Sequence, residues 1–173
     1  MKRLSVLLAC LLGFCSVPAF ASIISYNVLL SGTQSVPGNL STAFGNATVT
    51  VDDVANTVSV ILSFTGLTGG NASAAHIHCC VAPTATGPVV IPFSGFPIST
   101  SGTYSNTFTG IGVANIAGIE AGLAYINIHN AAFPGGEIRG DILATPRVVP
   151  EPASLALLGL AALAFARARR RRA

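Results

Sequence analysis

Thr57-Val58-Ser59-Val60-Ile61-Leu62-Ser63-Phe64-Thr65 is the most regularly alternating stretch of the chain. In an extended strand successive side chains point to opposite faces. Val58, Val60, Leu62 and Phe64 therefore share one face, and Thr57, Ser59, Ser63 and Thr65 the other. Ile61 interrupts the polar face, which implies that the reverse side is partly covered too. The preceding residues 53–56 have hairpin-turn chemistry, and Thr48-Val49-Thr50-Val51 alternates again on their far side. Further out, Tyr26, Val28 and Leu30 alternate with polar residues before a turn at Pro37-Gly38-Asn39, and 66–71 is a glycine-bearing loop. Residues 74–81, 89–93, 103–108, 123–130 and 137–143 supply more short strands, while 111–121 is expected to form one helical turn or an irregular crossover. Short strands at near-regular spacing predict an all-β domain, an antiparallel β-sandwich with Greek-key-like connections; a small open barrel is the alternative.

Both ends of the 173-residue chain read differently. Lys2 and Arg3 precede an apolar run over 4–17, and Ala19-Phe20-Ala21 has the small-x-small form of a cleavage site. The expectation is a helical signal peptide over 1–21, cut by signal peptidase between Ala21 and Ser22. At the other end Pro150-Glu151-Pro152 is followed by an uncharged stretch, 153–166, and then by Arg167, Arg169, Arg170, Arg171 and Arg172. As a helix that stretch reaches roughly 21 Å, short of the ~30 Å hydrocarbon core. The arginines belong on the cytoplasmic side, which leaves everything N-terminal to them outside. This order resembles the PEP-CTERM sorting signal of Gram-negative bacteria, and the resemblance implies recognition and removal by an exosortase. A plain C-terminal transmembrane anchor is the competing reading. The expected layout is signal peptide 1–21, domain 22–145, linker 146–149 and sorting signal 150–173. The expected location is outside the cytoplasm: transiently anchored in the inner membrane, then at the cell surface or secreted.

The formal charge of +3 belongs to these ends. Between Ser22 and Pro150 the bases are Arg139 and Arg147 and the acids Asp52, Asp53, Glu120, Glu137 and Asp141, so two bases against five acids leave −3. A nucleic-acid partner requires a basic patch, and this body has none. Its low charge suits a surface that lies in a matrix or against a partner.

Two segments carry a second resemblance. Ala75-His76-Ile77-His78 and the run from Tyr125-Ile126-Asn127-Ile128-His129-Asn130 through Pro134-Gly135-Gly136-Glu137-Ile138-Arg139-Gly140-Asp141 resemble the paired signatures of the CHRD (chordin-type) domain. Where many such domains continue His-x-His with Gly-Pro, this chain has Cys79-Cys80. The resemblance implies an extracellular, non-catalytic role. Together with the low charge this leads to the expectation of a structural or binding protein at the surface or in the matrix, with exopolysaccharide or matrix components as partners.

All three histidines lie in these segments. On strands, His76, His78 and Cys80 share a face, as do Tyr125, Asn127 and His129; Ile77 and Cys79 point to the core. If the two strands are neighbours the imidazoles converge, and His76, His78 and His129, with Cys80, become a candidate site for copper or zinc. Histidines that merely bond backbone carbonyls are the alternative. Cys79 and Cys80 are the only cysteines after the signal peptide. In an oxidising compartment they are free, joined to each other, joined to another chain or metal-bound. Glu137, Arg139 and Asp141 alternate along the last strand and are expected to form a stabilising charge ladder in which Arg139 bridges Glu137 or Asp141. No Gly-x-Ser-x-Gly elbow, phosphate-binding glycine loop or paired carboxylate site is present, which argues against an enzyme.

Overall fold

The computed structural model describes residues 23–143; the expected signal peptide, sorting signal and arginine tail lie outside them. The described part is nearly all antiparallel sheet: β1 (Ile23–Ser31), β2 (Phe44–Asp52), β3 (Thr57–Thr65), β4 (Ala72–His78), β5 (Val89–Pro92), β6 (Gly102–Phe108), β7 (Ala124–Asn130) and β8 (Ile138–Ile142). One short α-helix, α1 (Val113–Glu120), lies between β6 and β7. It has two turns, where the sequence led to the expectation of one turn or an irregular crossover. Among the described residues no helix is long and apolar enough to cross a membrane.

The strands form one sheet in the order β5-β4-β7-β8-β1-β2-β3-β6, every neighbour pair antiparallel. The quoted strand β3 sits between β2 and β6, with Val58, Val60, Leu62 and Phe64 buried and Ile61 exposed. The reverse face at Ile61 is therefore open, against the expectation of partial cover. Tyr26, Val28 and Leu30 of β1 and Ala47, Val49 and Val51 of β2 continue the same inner face.

The sheet folds over so that its two ends meet through aromatic side chains. Phe93, just past β5, stacks on Tyr104 and Phe108 of β6 with ring centroids 5.0 and 5.8 Å away. Phe96 stacks on Phe64 at 5.1 Å. Offset aromatic pairs contribute beyond their buried area, and here they close a barrel-like sandwich without a hydrogen-bonded seam between β5 and β6.

Glu137 ties one end of this sandwich together. Its fully buried carboxylate accepts hydrogen bonds from the Thr68 amide (2.7 Å), the Thr68 hydroxyl (2.8 Å), the Gly69 amide (3.1 Å), the Ser41 hydroxyl and the Asn130 amide group. Burial pushes its pKa up, but these donors outweigh burial and hold it below the ordinary carboxylate range. Of the two acidic partners expected for Arg139, the structure pairs it with Asp141 and not with Glu137. Glu137 turns toward the 41 and 68–69 loops, whose amides satisfy it, and leaves Arg139 to Asp141 alone.

A carboxyl whose folded pKa is depressed stabilises the fold above its unfolded value and loses that contribution as pH falls through the folded one. The urea midpoint should therefore drop along a carboxylate limb below the ordinary glutamate value of ~4.3. A separate decline should begin earlier, as pH falls through ~6.5, where His76 and His78, whose pKa values burial lowers, protonate on unfolding. Glu137→Gln should remove part of the carboxylate limb. It should also cost at least ~2 kcal/mol at pH 7, since charged hydrogen bonds are worth roughly 1.5–3 kcal/mol each. An unchanged acid limb in the variant would show that other carboxyls set it.

Candidate metal centre

β4 and β7 are neighbours, in a register that sets His76 opposite Asn127, His78 opposite Tyr125 and Ala74 opposite His129. The three histidines consequently gather on the outer face of the sheet. Ile77, Ile126 and Ile128 fill the core beneath them. One donor nitrogen from each ring lies within 4.8 Å of the other two.

Backbone carbonyls fix two of the rings. His78 Nδ1 lies 2.8 Å from the Gly87 carbonyl and His129 Nδ1 2.8 Å from the Pro134 carbonyl. A carbonyl can only accept, so each Nδ1 carries the proton and each Nε2 keeps its lone pair. His78 Nε2 is buried with no hydrogen-bond partner. His129 Nε2 faces His76 Nδ1 at 3.3 Å. Burial lowers the pKa of His76, and the neighbouring His129 and His78 lower it further. Burial also lowers that of His78; the Gly87 bond opposes the shift, and His129 and Arg139 add to it. Both rings are therefore neutral at pH 7, the state that binds a metal. Tetrahedral ligation with ~2.0–2.1 Å bonds needs donors about 3.4 Å apart. The His76–His129 pair already has that spacing. For all three to ligate, His76 must move its proton from Nδ1 to Nε2.

The Gly87 carbonyl is held in place by a stack on β7 and β8. The Tyr125 ring lies parallel to His78, centroids 4.7 Å apart, and the Arg139 guanidinium lies 3.5 Å from the Tyr125 ring centroid on β7. The Gly87 amide donates to the Tyr125 hydroxyl (3.1 Å). Arg139 donates to the carbonyls of Ala85 (2.8 Å) and Pro83 (2.5 Å) and pairs with Asp141 (2.8 Å). One buried guanidinium thus straps the 82–88 loop over the face that carries His78. On the other side, Gly136 (φ +110°) lies so close to the Asn127 amide that any Cβ there would overlap it. Asn127 in turn donates to the Gly135 carbonyl at 2.9 Å, which steadies the turn that offers Pro134 to His129.

Cys80, grouped with the histidines at the sequence level, is not with them. β4 ends at His78, the alternation stops, and Cys80 turns away into a disulfide with Cys79. Its sulfur lies 3.9 Å from the Ala114 carbonyl of α1. The Gly87 and Pro134 carbonyls were missed from sequence because a backbone acceptor leaves no residue-type signal.

Arg139→Lys should release the loop, because an ammonium cannot make the planar fork that reaches Pro83, Ala85 and Asp141 together. We expect roughly 3–5 kcal/mol lost in urea unfolding, the range for a broken buried ion pair. Limited proteolysis should then cut first within 82–88; a variant as resistant as the parent would show that the strap is dispensable.

The CHRD domain pattern matches residues 26–142, and the PEP-CTERM protein-sorting motif matches residues 148–172. No curated protein and no solved structure matches the chain. The sorting motif implies export, sorting to the cell surface and processing by an exosortase. With its sandwich, its His-x-His strand and its Pro-Gly-Gly-Glu turn inside one matched span, the chain belongs to the CHRD domain family.

Proposed function

We propose that this exported protein is a non-catalytic surface module that binds one divalent transition-metal ion, copper or zinc, through His76, His78 and His129. The observation that carries this reading is the buried, unpartnered Nε2 of His78, aimed into a cluster of two more imidazoles. Buried polar groups without partners are rare and demand a reason. A metal ion supplies one, and the carbonyl bonds at Gly87 and Pro134 are the outer-shell partners that orient ligating imidazoles. An all-imidazole set suits copper, zinc or nickel over calcium or magnesium. His76 and His129 are only half-buried, so a fourth position opens toward solvent.

The chain purified after export should carry about one copper or zinc per molecule by elemental analysis, and His76→Ala/His129→Ala should carry none. Added metal at 100 times Kd should stabilise the parent by ~2.7 kcal/mol, read as a rise in Tm, and leave the variant unmoved. A parent chain free of metal and indifferent to added copper and zinc would refute the reading.

A second reading, a matrix-facing module, draws on the opposite side of the fold. The outer face of β1, β2, β3 and β6 mixes uncharged hydroxyls and amides with the exposed apolar Ile23, Leu29, Phe44 and Ile61, and has cross-strand pairs such as Ser25–Thr50 (2.9 Å) and Ser59–Thr107 (2.8 Å). A shallow groove beside Ile61 is lined by Asn46, Thr48, Ser63, Thr103 and Ser105. Such a face matches a neutral, hydroxyl-rich polymer such as an exopolysaccharide. Retardation on a neutral polysaccharide gel, abolished by Thr48→Lys, is the expected result; equal mobility of both proteins would exclude this face.

A further inference from the structure

The Cys79–Cys80 disulfide stands between the histidine cluster and α1. Cys79 follows His78 directly, and its sulfur is buried; Cys80 is exposed. The same turn begins the 82–88 loop that brings the Gly87 carbonyl to His78. It is fixed by bonds from the Cys79 amide to Pro88 (3.2 Å) and from the Val81 amide to Leu123 (2.9 Å). On its other side the sulfurs press on α1. The Asn115 and Ala114 carbonyls lie 3.9 Å from the Cys79 and Cys80 sulfurs, and a methyl placed on Gly118 would overlap both of them. Residue 118 is a glycine beneath the one place where two sulfurs touch the helix.

We infer that Cys79–Cys80 is a thiol–disulfide exchange site whose redox state sets the metal affinity of the His76/His78/His129 centre, its co-reactant being a dithiol. This inference rests on the metal-binding reading above. A thiolate of the dithiol attacks the exposed Cys80 sulfur, and the electron pair of the S–S bond leaves on Cys79, which takes up a proton. The second thiol of the reductant then attacks the mixed disulfide, releases Cys80 as a thiol and closes the reductant's own disulfide. Two electrons pass to the protein, and atoms and charge balance.

Reduction matters because of space. Bonded sulfurs sit ~2.05 Å apart, whereas two free thiols need about 3.5–4 Å, the ordinary separation of non-bonded heavy atoms. Gly118 leaves no room on the helix side, so the turn at 79–81 must move. The loop that follows moves with it, and the Gly87 carbonyl that holds His78 in its ligating tautomer is displaced. Loss of an outer-shell partner lowers metal affinity roughly 10–100-fold.

The test uses zinc, which takes no part in redox chemistry, and the full chain purified after export. Zinc affinity is measured for the oxidised chain, for the chain reduced with dithiothreitol and freed of it without oxygen, and for Cys79→Ser/Cys80→Ser. The oxidised chain should bind at least ten times more tightly than the other two, and reoxidation of the reduced chain should restore it. Equal or tighter binding by the reduced chain overturns the inference and leaves the metal centre standing. Absence of zinc binding by the oxidised chain overturns both. The serine variant, which offers no thiol, separates displacement of the loop from zinc capture by the freed thiols. Should that variant not fold, the reversible reduction of the parent decides alone.

Discussion

Arg139 is among the largest fully buried side chains of the domain, and the arrangement of the outer face follows from satisfying it. A guanidinium removed from water must find partners for its donors. It finds them in Asp141 on its own strand and in two carbonyls of the 82–88 loop, which draws that loop down across β4, β7 and β8. Tyr125 is then enclosed between guanidinium and imidazole, and His78 is left with one nitrogen engaged and the other pointing inward. The local geometry of the histidine cluster is a by-product of sheltering one positive charge.

This cover also explains which parts of the fold were legible in the sequence. Alternation revealed β1, β2 and β3, because one face of each meets the core and the other meets water. The hairpin turn at 53–56 followed from its chemistry, and the parity of His76 with His78, and of Tyr125 with Asn127 and His129, followed from strand geometry alone. Parity does not say what lies above a strand. β7 is buried on both faces, since the core lies below it and the loop and turn above it, and its sequence looks like any other alternating strand. Cys80 was grouped with the histidines by continuing the alternation past His78, where the backbone already leaves the sheet. Spacing offered Arg139 a bridge to Glu137 or to Asp141 and could not choose between them; the Asp141 bridge forms, while Glu137 takes its donors from residues 41, 68, 69 and 130.

The two candidate surfaces divide the sandwich. The β4–β7–β8 face concentrates imidazoles, aromatic rings and the ion pair. The β1–β2–β3–β6 face carries short uncharged polar side chains, with the exposed apolar Ile23, Leu29, Phe44 and Ile61 set among them. A protein sorted to the cell surface can expose both at once. Binding of an ion on one side need not compete with adhesion on the other, because no side chain described here serves both.

Strand order has a consequence for how the sheet assembles. β1, the first strand, is flanked by β8, the last, with Ser31 opposite Arg139, and β4 waits some fifty residues for β7. Such distant pairings form slowly, because the entropy of closing long loops is spent before the contacts that reward it form. The β1–β2–β3 meander and the β4–β5 and β7–β8 pairs join strands adjacent in the chain and can form early. The sheet is complete only when β8 joins β1, so the strand made last is the one that seals the first.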